Sequence, residues 1–309
     1  MKHIFLIIIT AMALFSSCKK KHDIVQTELE FTDTIQVDGM NRTFIVELPE
    51  DWKNLTMPLV FALHGGSGTA AGMETMTSFK TVAQREKFIL IYPQGIDKSW
   101  NDGRPTAANR KGIDDVKFFS TMIDHLRSKY TIDGKKIYVC GISNGGFMTS
   151  RLAIELSDKF AAGAADAATI NVDLIPNMHP GPVSMIYMHG DADPLVPFTG
   201  GSTGIGPAAE GVFVSHQGAI DKWVSVNQCD SMPTITNLPD IAKDGTTVVK
   251  YEYKNGLQGT AVTGYTIQNG GHTWPGGWQY LPSLIIGKTS RDINATEIIW
   301  AFFKEHPKQ

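Results

Sequence analysis

Apolar residues in this chain gather in short runs separated by segments of helical period. Thr43–Leu48 (TFIVEL), Leu59–Leu63 (LVFAL), Phe88–Tyr92 (FILIY), Ile137–Val139, Phe160–Ala168 (FAAGAADAA), Val183–Met188 (VSMIYM) and Val262–Gln268 (VTGYTIQ) each predict a buried strand. Between them, Met73–Glu86 has helical spacing, and Val116, Phe119, Ile123, Leu126 and Tyr130 recur at intervals of three and four, one apolar stripe on a helix. Asp114 and Asp115 at the start of that helix suit its dipole. A last apolar helix, IIWAFFKEH, follows Asn294-Ala295-Thr296-Glu297, which has the spacing of a capping box. Strand and helix in alternation predict an α/β fold, a mostly parallel central sheet with helices on both faces.

The chemistry centres on Lys136–Leu156, where a strand runs through Gly141-Ile142-Ser143-Asn144-Gly145 into a helix with Phe147, Leu152 and Leu156 on one face. Gly-x-Ser-x-Gly at a strand-to-helix turn presents a serine hydroxyl at the carboxyl edge of a sheet. A phosphate-cradling loop is the competing use of such a turn. No Gly-Lys-Ser/Thr or GxGxxG follows, and that use is set aside. A nucleophilic Ser143 needs an oxyanion hole, a base and an acid. His64-Gly65-Gly66-Ser67-Gly68 after the LVFAL strand supplies a glycine loop, so the N–H groups of Gly66 and Asn144 are the expected oxyanion donors. His272, in the glycine-rich loop Asn269–Trp278 after the last strand, is the expected general base. Two acids compete in His189-Gly190-Asp191-Ala192-Asp193-Pro194: Asp193 is expected to orient His272, and Asp191 to stabilise the turn. Trp100, in the polar loop 100–112, and Trp274 and Trp278, beside the base, are candidate substrate contacts.

Composition narrows this further. The chain has 309 residues, 42% hydrophobic and 19% charged, with a formal net charge of -3, which offers no electrostatic case for binding nucleic acid. Residues 1–17 combine Lys2 and His3 with the apolar run Ile4–Phe15, too short for a bilayer anchor and matching a signal peptide. Small residues before Cys18 resemble a lipoprotein cleavage site, so Cys18 is the expected acylated residue and 18–30 a tether. The chain is then exported, with a lipid anchor as its one membrane attachment. Residues 31–309 form one domain, and 199–260 is expected to be an insertion between acid and histidine that covers the site. No Cys/His cluster has zinc spacing, so neither metal nor other cofactor is expected. Cys140 falls in the strand before the elbow as a small buried hydrophobe, and pairing of Cys140 with Cys229 is left open.

GISNGGFMTSRLA, HGDADPLVPF, GGHTWPGG and SRDINATEIIWAFFKEH together resemble the secreted α/β-hydrolase esterases of the polyhydroxybutyrate depolymerase-like and feruloyl or acetylxylan esterase-like group, relatives of carbohydrate esterase family one. The likeness runs from about Phe31 to the C-terminus. It implies an α/β-hydrolase fold, the triad Ser143, Asp193 and His272, and an ester substrate carried by a small molecule or polysaccharide. Relatives often have cysteine at the position of Gly66, and a disulfide from near Cys229 to a cysteine shortly before the last strand. Here that second position is Leu257, so the resemblance leaves Cys229 unpaired. The expected activity is a serine esterase working through an acyl-enzyme on plant cell-wall esters. A polyester depolymerase or peptidase with the same triad is one alternative, and an inactive glycan-binding lipoprotein another.

Overall fold

In the computed structural model of the chain, residues 28–178, 181–203 and 210–309 are described. The signal segment, Cys18 and most of the tether lie outside them. In chain order the elements are β1 (Glu30–Val37), β2 (Met40–Glu47), β3 (Met57–Leu63), α1 (Ala70–Met76), α2 (Phe79–Glu86), β4 (Ile89–Pro93), α3 (Ala107–Arg110), α4 (Asp115–Lys129), β5 (Ile132–Ile142) and α5 (Asn144–Glu155). They continue with β6 (Ala162–Asp166), β7 (Ser184–Gly190), β8 (Gly201–Thr203), β9 (Glu210–Phe213), α6 (His216–Asn227), β10 (Thr234–Asn237), β11 (Thr247–Tyr253), β12 (Val262–Gln268), α7 (Ser283–Ile286) and α8 (Ala295–Glu305).

Ten strands form one sheet in the order β1-β2-β4-β3-β5-β6-β7-β12-β11-β10. The six from β4 to β12 run parallel, and an antiparallel pair closes each edge. Alternation along β5 feeds two cores. Tyr138, Cys140 and Ile142 face the layer of α2 and α8, where Tyr138 stacks on Phe303 at 4.6 Å, whereas Ile137 and Val139 face α4 and α5. The Ala-Gly-Ala-Ala of β6 lets α5 lie close over the sheet centre: a Cβ on Gly163 would stand 3.3 Å from a methyl of Thr149. That packing fixes the elbow.

Four expectations change. β1, which alternates polar and apolar residues and is half exposed, pairs with β2 as an edge hairpin. The helix over 73–86 is two helices, broken at Thr77–Ser78, with the Thr77 hydroxyl donating to the Met73 carbonyl at 3.0 Å. Asp114 does cap α4 through the Lys117 N–H, but Asp115 turns inward to the buried Arg42 guanidinium at 2.6 Å. Segment 199–260 is largely built into the main layers. Its α6 packs on β7 and β12, with the Trp223 Nε1–H donating to the Tyr187 hydroxyl at 2.9 Å, and β10 and β11 extend the sheet. Cys140 and Cys229 are both free; the Cys229 sulfur lies against the 256–260 turn that holds Leu257. Among the described residues, no helix is long and apolar enough to cross a membrane.

Candidate active site

Ser143 sits between β5 and α5 at φ 56°, ψ -126°, a conformation a side-chain-bearing residue adopts only where its surroundings hold it there. Its N–H donates to the Asp166 carbonyl at 2.9 Å, and the neighbouring glycines explain the rest. A Cβ on Gly141 would lie 2.6 Å from the Gly145 carbonyl oxygen, and one on Gly145 would lie 2.5 Å from that of His64. Both positions exclude any larger residue.

Ser143 and His272 line one cavity of about 380 Å³. The contact that orients the base is in place: His272 Nδ1 is 2.8 Å from Asp193 Oδ2, which leaves Nε2 as the ring nitrogen free for the cavity. The other oxygen of Asp193 accepts from the N–H groups of Leu195 (2.8 Å) and Val196 (2.9 Å). Burial alone would push the Asp193 pKa up, but the charge of His272 and the contacts of His189 and His272 outweigh it and hold the carboxyl well below the usual range. An ionised Asp193 accepts, so Nδ1 of His272 carries the proton and Nε2 is a base. Asp191 is engaged elsewhere, accepting from the Asn269 N–H at 2.6 Å.

Gly66 and Asn144 also meet here. A Cβ on Gly66 would be 3.8 Å from that of Asn144, and among the described residues neither backbone N–H has a hydrogen-bond partner. The Asn144 side chain is clamped: its oxygen accepts from the Trp100 N–H at 2.7 Å, and its amide donates to the Trp100 carbonyl (3.0 Å) and to Asp102 (2.7 Å).

Of the three tryptophans, only Trp278 borders the cavity. Trp100 is fully buried and donates from Nε1 to the His64 carbonyl at 2.9 Å, and Trp274 is 1% exposed and donates to the Thr296 hydroxyl at 3.1 Å. Both are packing residues, because an indole whose face and N–H are already used has nothing left for a ligand. Among the described residues, none of 199–260 lines the cavity, and Leu195, Trp278, Tyr280 and Leu281 border it.

Three histidine and tyrosine roles escaped the sequence. His64 accepts from the Gly95 N–H at Nε2 (3.0 Å) while Nδ1 contacts the Gly65 carbonyl (2.7 Å), which pins the glycine loop; burial lowers its pKa to about 4, so it stays neutral. His189, fully buried at the end of β7, directs Nε2 to the Val196 carbonyl at 3.0 Å and lies 3.3 Å from Asp193 Oδ2. A carbonyl only accepts, so the proton is on Nε2. Tyr280 donates its hydroxyl to the His272 carbonyl at 2.9 Å. The usable signal was position: His64 directly follows β3 and His189 is the last residue but one of β7, each immediately before a glycine. As for metals, the carboxylates that converge among the described residues are Glu30, Glu47 and Glu74, and the Lys80 ammonium already contacts all three.

Known proteins resemble this chain in sequence and in fold. The prolyl oligopeptidase family matches over residues 97–178, the segment containing the elbow. The protein NocK of Nocardia uniformis subsp. tsuyamanensis, whose name describes an esterase, is 30% identical over 248 residues, covering 78% of this chain and 72% of that protein. Poly(3-hydroxyalkanoate) depolymerase C of Paucimonas lemoignei is 29% identical over 236 residues, 71% of this chain and 55% of the depolymerase, so the chain spans about half of that relative. Among solved structures, an acetyl xylan esterase from Aspergillus awamori superposes with a TM-score of 0.59 at 16% identity, covering 89% of this chain and 99% of the other, a likeness of fold.

Proposed function

Because the chain belongs to the α/β-hydrolase esterase family of NocK, we propose that it cleaves carboxylic esters of plant cell-wall polysaccharides through a serine acyl-enzyme. The observation that carries this reading is the Asp193–His272 hydrogen bond, with His272 and Ser143 in one cavity beside two unpaired backbone amides. His272 Nε2 takes the Ser143 proton as the hydroxyl oxygen attacks the ester carbonyl. The N–H groups of Gly66 and Asn144 stabilise the oxyanion, and Asp193 holds the imidazole in its tautomer and balances its charge. His272 then gives the proton to the leaving alcohol. Water, deprotonated by the same imidazole, releases the acid.

His189 and Tyr280 position this machinery. His189 supplies a second N–H beside the oxygen of Asp193 that His272 uses, and Tyr280 braces the His272 backbone. Met73, Met76, Ile142 and Leu281 give the cavity apolar walls suited to an acetyl or hydroxycinnamoyl group. Export through residues 1–17 and acylation at Cys18 belong to the same proposal, supported by the apolar run and the small residues before Cys18. Labelled palmitate should enter the native protein and not Cys18→Ser; label in both would sink the anchor.

A second substrate reading has one observation in its favour. Trp278 and Leu281 are exposed at the cavity, Leu284 and Ile285 are exposed in α7 shortly after them in the chain, and such apolar surface suits an insoluble polyester. The deciding experiment is a substrate panel of p-nitrophenyl acetate, methyl ferulate and poly(3-hydroxybutyrate) film, with Ser143→Ala as control. Turnover of the soluble esters that falls at least about 10⁴-fold in the variant is expected. Clearing of the film with little soluble-ester turnover would replace the polysaccharide reading. No serine-dependent turnover of any of the three would remove the esterase assignment.

A further inference from the structure

A second cavity, of about 320 Å³, opens beside the catalytic one and shares Met76 and Trp278 with it. We propose that it is a glycosyl subsite, receiving the sugar ring that carries the ester while the acyl group lies at Ser143. The inference rests on the esterase reading of Ser143 and adds to it where the alcohol half of the substrate binds.

The two cavities differ in chemistry. Around Ser143 and His272 the side chains are mainly methionine, isoleucine, leucine and aromatic; the second cavity, beside Met76, Trp274 and Trp278, adds the polar Thr75, Thr77, Ser78, Arg291, Asn294 and Thr296. Several of these groups are uncommitted among the described residues. Arg291 uses only its backbone N–H, which donates to Asp244 at 2.8 Å, and its exposed guanidinium has no partner. Asn294 caps α8 with its side-chain oxygen, which leaves its amide hydrogens free. Ser78 precedes α2 without making a side-chain capping bond. The floor is closed: Trp274 is buried and already donates to Thr296. Gly277 sets the width, since a Cβ there would stand 2.8 Å from the Met76 carbonyl oxygen and push the 274–278 loop away from the helix break.

Trp278 is the wall between the two spaces and is 61% exposed. An indole face beside free donors and hydroxyls suits a pyranose or furanose ring, which offers an apolar C–H face to an aromatic and hydroxyls that both donate and accept. An anionic ligand fits less well, because Arg291 is the one cationic side chain among the lining residues. A polyester repeat can accept from Asn294 but has no hydroxyl hydrogen to give the Ser78 oxygen. The break between α1 and α2 thus has a use: it puts Thr77 and Ser78 at the cavity instead of another helical turn.

Binding and turnover test this separately. Xylotriose should bind Ser143→Ala in calorimetry, and adding Arg291→Ala or Trp278→Ala should weaken it about tenfold, the loss of one hydrogen bond from a charged donor or of one stacking face. With Ser143 intact, Arg291→Ala should lower about tenfold the ratio of kcat/KM on acetylated xylo-oligosaccharides to that on p-nitrophenyl acetate. An unchanged ratio together with no xylotriose affinity, or affinity indifferent to both substitutions, overturns the subsite. A fall of the same size on both esters also overturns it, because Arg291 would then act in the catalytic cavity. If xylotriose binds through Arg291 but the native protein hydrolyses neither ester, the subsite stands and the esterase reading fails.

Discussion

Two carboxylic acids follow neighbouring strands at the same edge of the sheet, and they end in opposite states. Asp166 closes β6 and Asp193 follows β7, and they are 1% and 8% exposed. Asp193 is held well below the usual carboxylate range, while burial, then the charge of Asp193 itself, raises Asp166 well above it. The difference is in donors. Asp193 has two backbone N–H groups on one oxygen and His272 and His189 at the other, whereas Asp166 Oδ2 has no partner. Burial penalises both anions, and hydrogen-bond donors decide which of them persists. Of two acids close to the elbow, only the one with donors on both oxygens is placed to orient an imidazole and balance its charge.

The sharpest way to break this comparison is to remove the charge at the ionised site. Asp193→Asn should lower kcat about 10⁴-fold, because an amide can favour the wrong imidazole tautomer. Activity within tenfold of native would pass the role to another acid, with Asp166 the first to examine by the double substitution. A smaller effect is expected where a donor is removed and the charge kept. His189→Leu should lower kcat/KM about tenfold, a loss in the range of one hydrogen bond to a charged group. Asp193, with fewer donors, then holds the His272 proton more strongly, and the acid limb of the pH–rate profile moves to higher pH. His189→Gln, which can still donate, should recover part of both effects. A uniform fall in rate with the profile unmoved would reduce His189 to a packing residue.

The smallest effect on rate belongs to the neutral acid. Asp166→Asn should stay within about threefold of native in kcat, since no charge is lost. Its signature is in stability. With a folded pKa above the unfolded one, the unfolded chain releases the Asp166 proton first, so native stability falls as pH rises from about 4. The variant lacks that loss, and its melting temperature should gain on the native protein from pH 4 towards 7. A difference that does not grow with pH would mean that Asp166 is ionised in the folded protein.

What could be read from the sequence follows the same physical division. The meeting of Asp193 with His272, and of His272 with Ser143 in one cavity, was legible because each proposed role demands one residue type in a loop after a strand, and chain order supplies the rest. Buried parallel strands such as β4 and β7 were legible because both faces are apolar. β10 was not, since Thr234–Asn237 is exposed along its length and has no apolar face to mark it. Nor could the sequence separate Trp100 and Trp274, which are buried and hydrogen-bonded, from Trp278, which stands open at two cavities. An indole looks the same in all three places, and its role depends on what the rest of the chain brings to its N–H. His189 was hidden for a related reason: its value lies in a neighbour four residues on, across a turn whose shape no local pattern reports.

The parallel pairing of β12 with β7 has a further consequence for how the protein acquires activity. Asp193 and His272 are 79 residues apart, and the chain between them leaves the sheet through α6, builds an antiparallel edge and returns before the imidazole can reach its carboxylate. Closing so long a loop costs entropy before any contact repays it, and pairings of high contact order form slowly. Hydrolytic competence is therefore a late product of folding and resides in no fragment. A chain that is still being threaded, or one cut before Val262, holds Ser143 without the base proposed for it.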